Sequence, residues 1–152
     1  MEIRLATIKD CKQVISLLDE LMLEACRLNK QTPISHTENG VREKFYQEEI
    51  QRKDIKIFVA EENKKVVGMA ELFIVPILRR GYYQGVIETF VVTENLRGEG
   101  IGSKLIQAVF KYCKEKKITV LKLTSDINMK DAHNFYKKHG GKYTEKLFRF
   151  KL

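Results

Sequence analysis

The chain has 152 residues, 43% apolar and 32% charged, with two prolines, nine glycines and a formal charge of +8. A chain of this length buries roughly 70% of its unfolded surface, so a single domain over residues 1–152 with a real core is expected, and a disordered or collagen-like protein is excluded. No apolar stretch approaches the ~20 residues of a bilayer span, and "MEIRLATIKD" lacks the basic-then-apolar order of a secretory signal, so a cytoplasmic protein with no membrane partner is expected.

Ile3 and Leu5 alternate with polar neighbours, the pattern of a short strand. Thr7 and Asp10 then stand three apart like a capping box, and Cys11, Val14, Ile15, Leu18, Met22 and Ala25 share one helical face. Ser35 with Glu38 repeats the start signal, and Val41, Phe45 and Ile50 form the weaker stripe of a second helix. The β-branched runs "IKIFVAE" and "VVGMAELFIV", joined by "ENKK", read as a hairpin, and "GVIETFVV" as the next antiparallel strand. Ile101, Leu105, Ile106, Val109, Phe110 and Cys113 mark a helix, followed by the strand "ITVLKLT". A strand–helix–strand crossover makes its two strands parallel, and they can part to leave a cleft. "KDAHNFYKKHGG" predicts a helix closed by glycine, and residues 142–152 a final strand or hairpin.

Cys11, Cys26 and Cys113 are odd in number and far apart, so neither a disulfide framework nor zinc is indicated. His36, His133 and His139 are spaced like neither a metal set nor a triad, so no metal is expected. The positive charge fits an anionic partner, but lysines are interspersed with acids as in "KEKK", and a nucleic-acid surface would need a continuous basic face with stacking aromatics. Only "RRGYYQG" resembles one.

The informative stretch is "NLRGEGIGSKLI". It is no Walker A loop, because Ser103 stands where the second glycine belongs, and no dinucleotide fingerprint, because the third glycine is missing. What remains is R-x-x-G-x-G, formed by Arg97, Gly98, Glu99, Gly100, Ile101 and Gly102, after a strand and opening a helix. Free N–H groups and the positive end of a helix dipole attract an anion there; a tight turn needing only positive φ fits the triplet equally well.

With "VIETFVVTENLRGEGIG" and "NMKDAHNFYKKHGG", the chain resembles the GNAT superfamily of N-acetyltransferases, from "IRLATIKD" to "NFYKKHGGKY". That resemblance implies an α/β fold of α+β type, with a mixed, mostly antiparallel sheet splayed in the middle and helices on both faces. It implies acetyl-CoA as co-substrate, with the pyrophosphate on the amides of Arg97, Gly98, Glu99, Gly100, Ile101, Gly102 and Ser103. A strand bulge at Phe90, Val91 and Val92 would bind the pantetheine arm and aim an amide at the thioester oxygen. Asn128 matches a position that bonds the arm or a water, and by its residue type could equally cap the helix at Lys130. Tyr136 matches the tyrosine facing the leaving thiolate, which a phenol of pKa about 10 can protonate. The family's aromatic after the last glycine is replaced by Gly141, which implies looser packing there. Homodimers occur among chains of this kind.

A primary amine attacks only when neutral, so a proton acceptor is useful. Glu88 is the leading candidate, placed with Val86, Phe90 and Val92 on one alternating face, and Glu71 in "GMAELFI" is the runner-up on the same reasoning. The acceptor is expected to be the primary amine of a small molecule, peptide or protein, lined by Leu28–Gly40 and by Pro76–Gly85 with Arg79, Arg80, Tyr82 and Tyr83. The alternative is a non-catalytic acyl-CoA sensor using the same cradle.

Overall fold

The structure, a computed structural model, describes residues 1–30, 40–148 and 150. Strands β1 (Glu2–Leu5), β2 (Ile55–Glu62), β3 (Lys65–Ile77), β4 (Tyr82–Val92) and β5 (Leu121–Leu123) form one sheet in chain order. Every neighbouring pair is antiparallel except β4 and β5, which are parallel. Helices α1 (Cys11–Leu28), α2 (Val41–Glu49), α3 (Ile101–Glu115) and α4 (Lys130–Lys138) complete it. No helix among the described residues is long and apolar enough to cross a membrane.

Strand parity divides the core between the two faces of the sheet. Ile57, Val59, Met69 and Val91 pack with Val14 and Leu17 of α1 and Tyr46 of α2. On the other face Phe58, Leu72 and Ile87 pack with Leu105, Val109 and Cys113 of α3. Cys11 and Cys113 are buried among these groups, and burial pushes both thiols up, so they behave as packing residues.

The expected capping box forms, but it closes the 3-10 turn Ile8–Asp10 that leads into α1: the Asp10 carboxylate accepts the Thr7 amide at 2.7 Å, and α1 itself follows from Asp10. The second helix begins at Val41, and its expected start at Ser35 and Glu38 lies outside the described residues. The C-terminus differs from the reading. Lys142–Phe148 and Phe150 form no strand, although Tyr143, Leu147, Phe148 and Phe150 are exposed apolar residues. Alternation supplies extended propensity, but a strand also requires a partner edge, and none among the described residues pairs with it.

β4 and β5 are paired only through Gly85↔Leu121, Val86↔Lys122 and Ile87↔Leu123. Beyond Ile87, Thr89–Val92 keep β3 on one side and lose β5 on the other, which opens the splay.

Candidate functional site

At the end of β4 the chain turns through Glu94–Leu96 into a loop with Gly98 at φ 88° and Gly100 at φ 82°. These left-handed positions suit glycine, and a Cβ on either would meet nothing within 4 Å, so the loop faces open space. The amides of Gly98, Glu99, Gly100, Ile101, Gly102 and Ser103 find no acceptor among the described residues, because the first bond of α3 is donated by Lys104 to the Gly100 carbonyl. Consecutive unpaired N–H groups at a helix start form a concave anion site. Ile101 buries its side chain against Ala60, Val67 and Val92, which anchors the loop. Glu99 is exposed. Gly102 lets Phe135 of α4 close in: a Cβ would lie 3.2 Å from its ring.

Arg97 is placed differently from a phosphate ligand. Its guanidinium grips Glu24 of α1 through two bonds of 2.7 and 2.6 Å, and its Nε donates to the Val92 carbonyl at 2.9 Å. It positions the loop against α1, and it holds the Glu24 carboxyl below its ordinary range. A cavity of about 710 Å³ beside this contact is lined by Glu20, Glu24 and Glu94 together with Arg27 and Arg97. Its acids make it a poorer diphosphate site than the amides of the loop.

The bulge lies two residues earlier than the resemblance implies. Glu71 pairs with Thr89 and Leu72 with Ile87, so Glu88 is the extra residue, whereas Phe90, Val91 and Val92 continue a regular ladder with Ala70, Met69 and Gly68. One inserted residue flips the parity of everything beyond it. Val86, opposite Phe73, therefore belongs to the α1 face, while Phe90 packs on the α3 face, so Glu88 interrupts no continuous apolar row. Glu88 is exposed.

The ladder also orients the backbone. The Thr93 amide donates to the Val67 carbonyl at 2.9 Å, and antiparallel bonds alternate, so Val91 exchanges bonds with Met69 while the amides of Phe90 and Val92 point away from β3 into the splay.

α4 approaches the splay from the α3 side. Tyr136 stacks edge-on against Phe90 at 6.1 Å and Phe135 at 5.5 Å, and burial pushes its phenol up to about 12. The helix closes through bonds from Gly140 N–H to the Lys137 carbonyl and from Gly141 N–H to the Tyr136 carbonyl, with Gly140 at φ 88°. A Cβ on Gly141 would stand 2.9 Å from that carbonyl oxygen, so the departure from the family pattern accompanies a tight closure and not a loose one.

Asn128 does not cap α4, whose N-cap is Met129; its side chain donates at 2.7 Å to the side chain of Asn29, the residue that closes α1. Asn29 also donates to Asp126 at 2.9 Å, so the end of α1 bridges to the segment after β5. Sequence reasoning had Asn29 only as part of the Leu28–Gly40 acceptor lining and not as this bridge, and it set aside His139, whose Nε2 lies 3.1 Å from the Ser103 hydroxyl at the loop. Of the expected acceptor lining, residues 31–39, including His36, lie outside the described residues, and Arg79 and Arg80 sit at the far end of the β3–β4 hairpin.

The solved structures similar to this chain include a transcriptional regulator from Bacillus halodurans C-125, 25% identical with a TM-score of 0.84 over 99% of both chains. Another is an aminoglycoside acetyltransferase from an uncultured soil metagenomic sample, 21% identical with a TM-score of 0.78 over 99% of this chain and 94% of that one, a likeness of fold. Among curated proteins, aminoalkylphosphonate N-acetyltransferase of Salmonella typhimurium LT2 is 33% identical over 92 residues, 60% of this chain and 58% of that protein. With residues 21–141 matching the model of the acetyltransferase (GNAT) family, a strand that parts from its neighbour and an open row of amides beyond it, the chain belongs to that family.

Proposed function

We propose that the protein transfers the acetyl group of acetyl-CoA to the primary amine of a small molecule or peptide. The observation that carries this reading is the run of unpaired amides from Gly98 to Ser103 at the mouth of the splay, which fits a diphosphate. Acetyl-CoA supplies an activated acetyl thioester. The amides of Phe90 and Val92 line the splay, where an N–H aimed at the thioester oxygen stabilises the charge that grows there in the transition state, an effect typically about 100-fold or more. The Tyr136 phenol, protonated at neutral pH, gives its proton to the departing sulfur. A carboxylate at the bulge, Glu88 or Glu71, accepts the proton of the attacking ammonium. Asn128 and Arg97 position the two sides of the mouth.

Titration calorimetry with coenzyme A tests the cradle, and release of free thiol from acetyl-CoA across an amine panel tests the transfer. The panel includes aminoalkylphosphonates because of the curated relative. Binding with thiol release is expected. Binding with no turnover of any amine supports a non-catalytic sensor, and absence of binding overturns the reading of the loop.

A further inference from the structure

We propose that Glu71, held by Thr89 across the β3–β4 bulge, is the group that takes the proton from the attacking ammonium, with Glu88 acting on it only as a neighbouring charge. This rests on the acetyl-transfer reading above and assigns one step within it.

The two residues are direct partners in the ladder, immediately before the register shift. The Thr89 hydroxyl donates to Glu71 Oε2 at 3.0 Å, and Oε1 has no hydrogen-bond partner among the described residues. One oxygen is fixed and the other is available, the arrangement a positioned base requires. Parity puts Glu71 on the face of Met69 and Phe73, towards α1 and α2, while Phe90 and Tyr136 stand on the α3 side. An acyl group in the splay between these faces would have the acid on one side, near the leaving sulfur, and the base on the other, where an amine can approach.

Glu71 is half-buried, whereas Glu88 is exposed to water. Burial is the largest influence on Glu71 and pushes its carboxyl up; the Thr89 hydrogen bond opposes this, and the charges of Glu88 on β4 and Glu49 on α2 add to the rise. A carboxylate raised towards neutrality is a better base for an ammonium than a fully solvated one.

The step balances. Glu71 takes one proton from the ammonium, and the freed lone pair forms the C–N bond at the thioester carbon. As the C–S bond breaks, the sulfur keeps its electron pair and takes the Tyr136 proton. The nitrogen, acidic once acylated, releases its second proton to solvent, from which the phenol is restored. Glu71 then gives the proton it took to solvent, so one proton is released for each amide formed.

The test is the pH profile of kcat/KM with an amine that the wild type turns over, with coenzyme A affinity measured in parallel. Glu71→Gln is expected to lose about 100-fold or more in kcat and the acidic limb of the profile, with coenzyme A affinity retained. The other two substitutions move that limb in opposite directions. Thr89→Val removes the bond that holds the carboxyl down, so the limb moves to higher pH. Glu88→Gln removes a like charge, so the limb moves to lower pH and persists. A Glu71→Gln enzyme with full kcat, or a limb that vanishes with Glu88→Gln, overturns the assignment. Should Glu71→Gln fail to fold, the opposed shifts of the other two variants decide, and identical or absent shifts overturn it. A wild type that binds coenzyme A and acetylates no amine defeats the acetyl-transfer reading itself, a different result from an active Glu71→Gln enzyme.

Discussion

Tyr136 illustrates how neighbours adapt one side chain. Packed against Phe90 and Phe135, its phenol is pushed up to about 12, so it stays protonated across the neutral and mildly alkaline range. Tyr136→Phe is expected to lower kcat about 100-fold with coenzyme A affinity unchanged, and the wild-type profile should show no fall due to Tyr136 ionisation below about pH 11, one unit under that value. Asp10 shows the opposite influence. The Arg4 guanidinium, at 2.8 Å, draws its carboxyl down to about 2 against burial, helped by the Thr7 amide. A folded pKa below the unfolded value of 3.8 stabilises the protein at pH above about 4, and this stability is lost as pH falls towards about 2. The contribution is about 2 kcal/mol. Asp10→Asn should lower the unfolding midpoint at pH 7 and flatten its dependence between about pH 4 and 2, measured by denaturant titration at several pH values.

Among the elements, the Gly98–Ser103 loop derives its properties from backbone geometry alone. Gly98 and Gly100 hold positive φ in open space, so a methyl at either position meets conformational strain and no clash. Gly98→Ala should cost about 1–2 kcal/mol of stability and weaken coenzyme A binding, because the loop relieves its strain by turning amides away from a shared centre. Calorimetry and a melting curve check both effects. Affinity unchanged alongside a lower Tm would show that these amides do not bind the diphosphate. The Glu88 bulge is the counterpart in the sheet: by flipping parity it sends Phe90 to α3 and leaves Glu71 and Thr89 facing α1 and α2.

Across the whole molecule, the proposed site lies where the sheet of the described residues passes from antiparallel to parallel pairing. Among the described residues antiparallel pairing continues from β1 to β4 and the parallel β4–β5 pair is short, so β4 enters the splay with no strand on one edge. α1 ties to both sides of that opening, through Glu24 to Arg97 and through Asn29 to Asn128 and Asp126. Much of this frame was legible in the residues. Period-2 and period-3.6 patterns located β2, β3, β4, α1 and α3, and the glycines with the following apolar stripe located the loop. These features are local: each is determined by residues within a turn or two of one another. The bulge at Glu88, the engagement of Arg97 by a residue 73 positions away, the bridge from Asn29 to a residue 99 positions away and the absence of strand pairing in Lys142–Phe148 among the described residues were not legible. Where strands, helices and left-handed turns can form was set along the chain, because steric limits and apolar periodicity act between near neighbours. Which face each side chain reaches and which partner it meets was settled by folding, because register and ion pairing depend on groups that are far apart until the chain is folded.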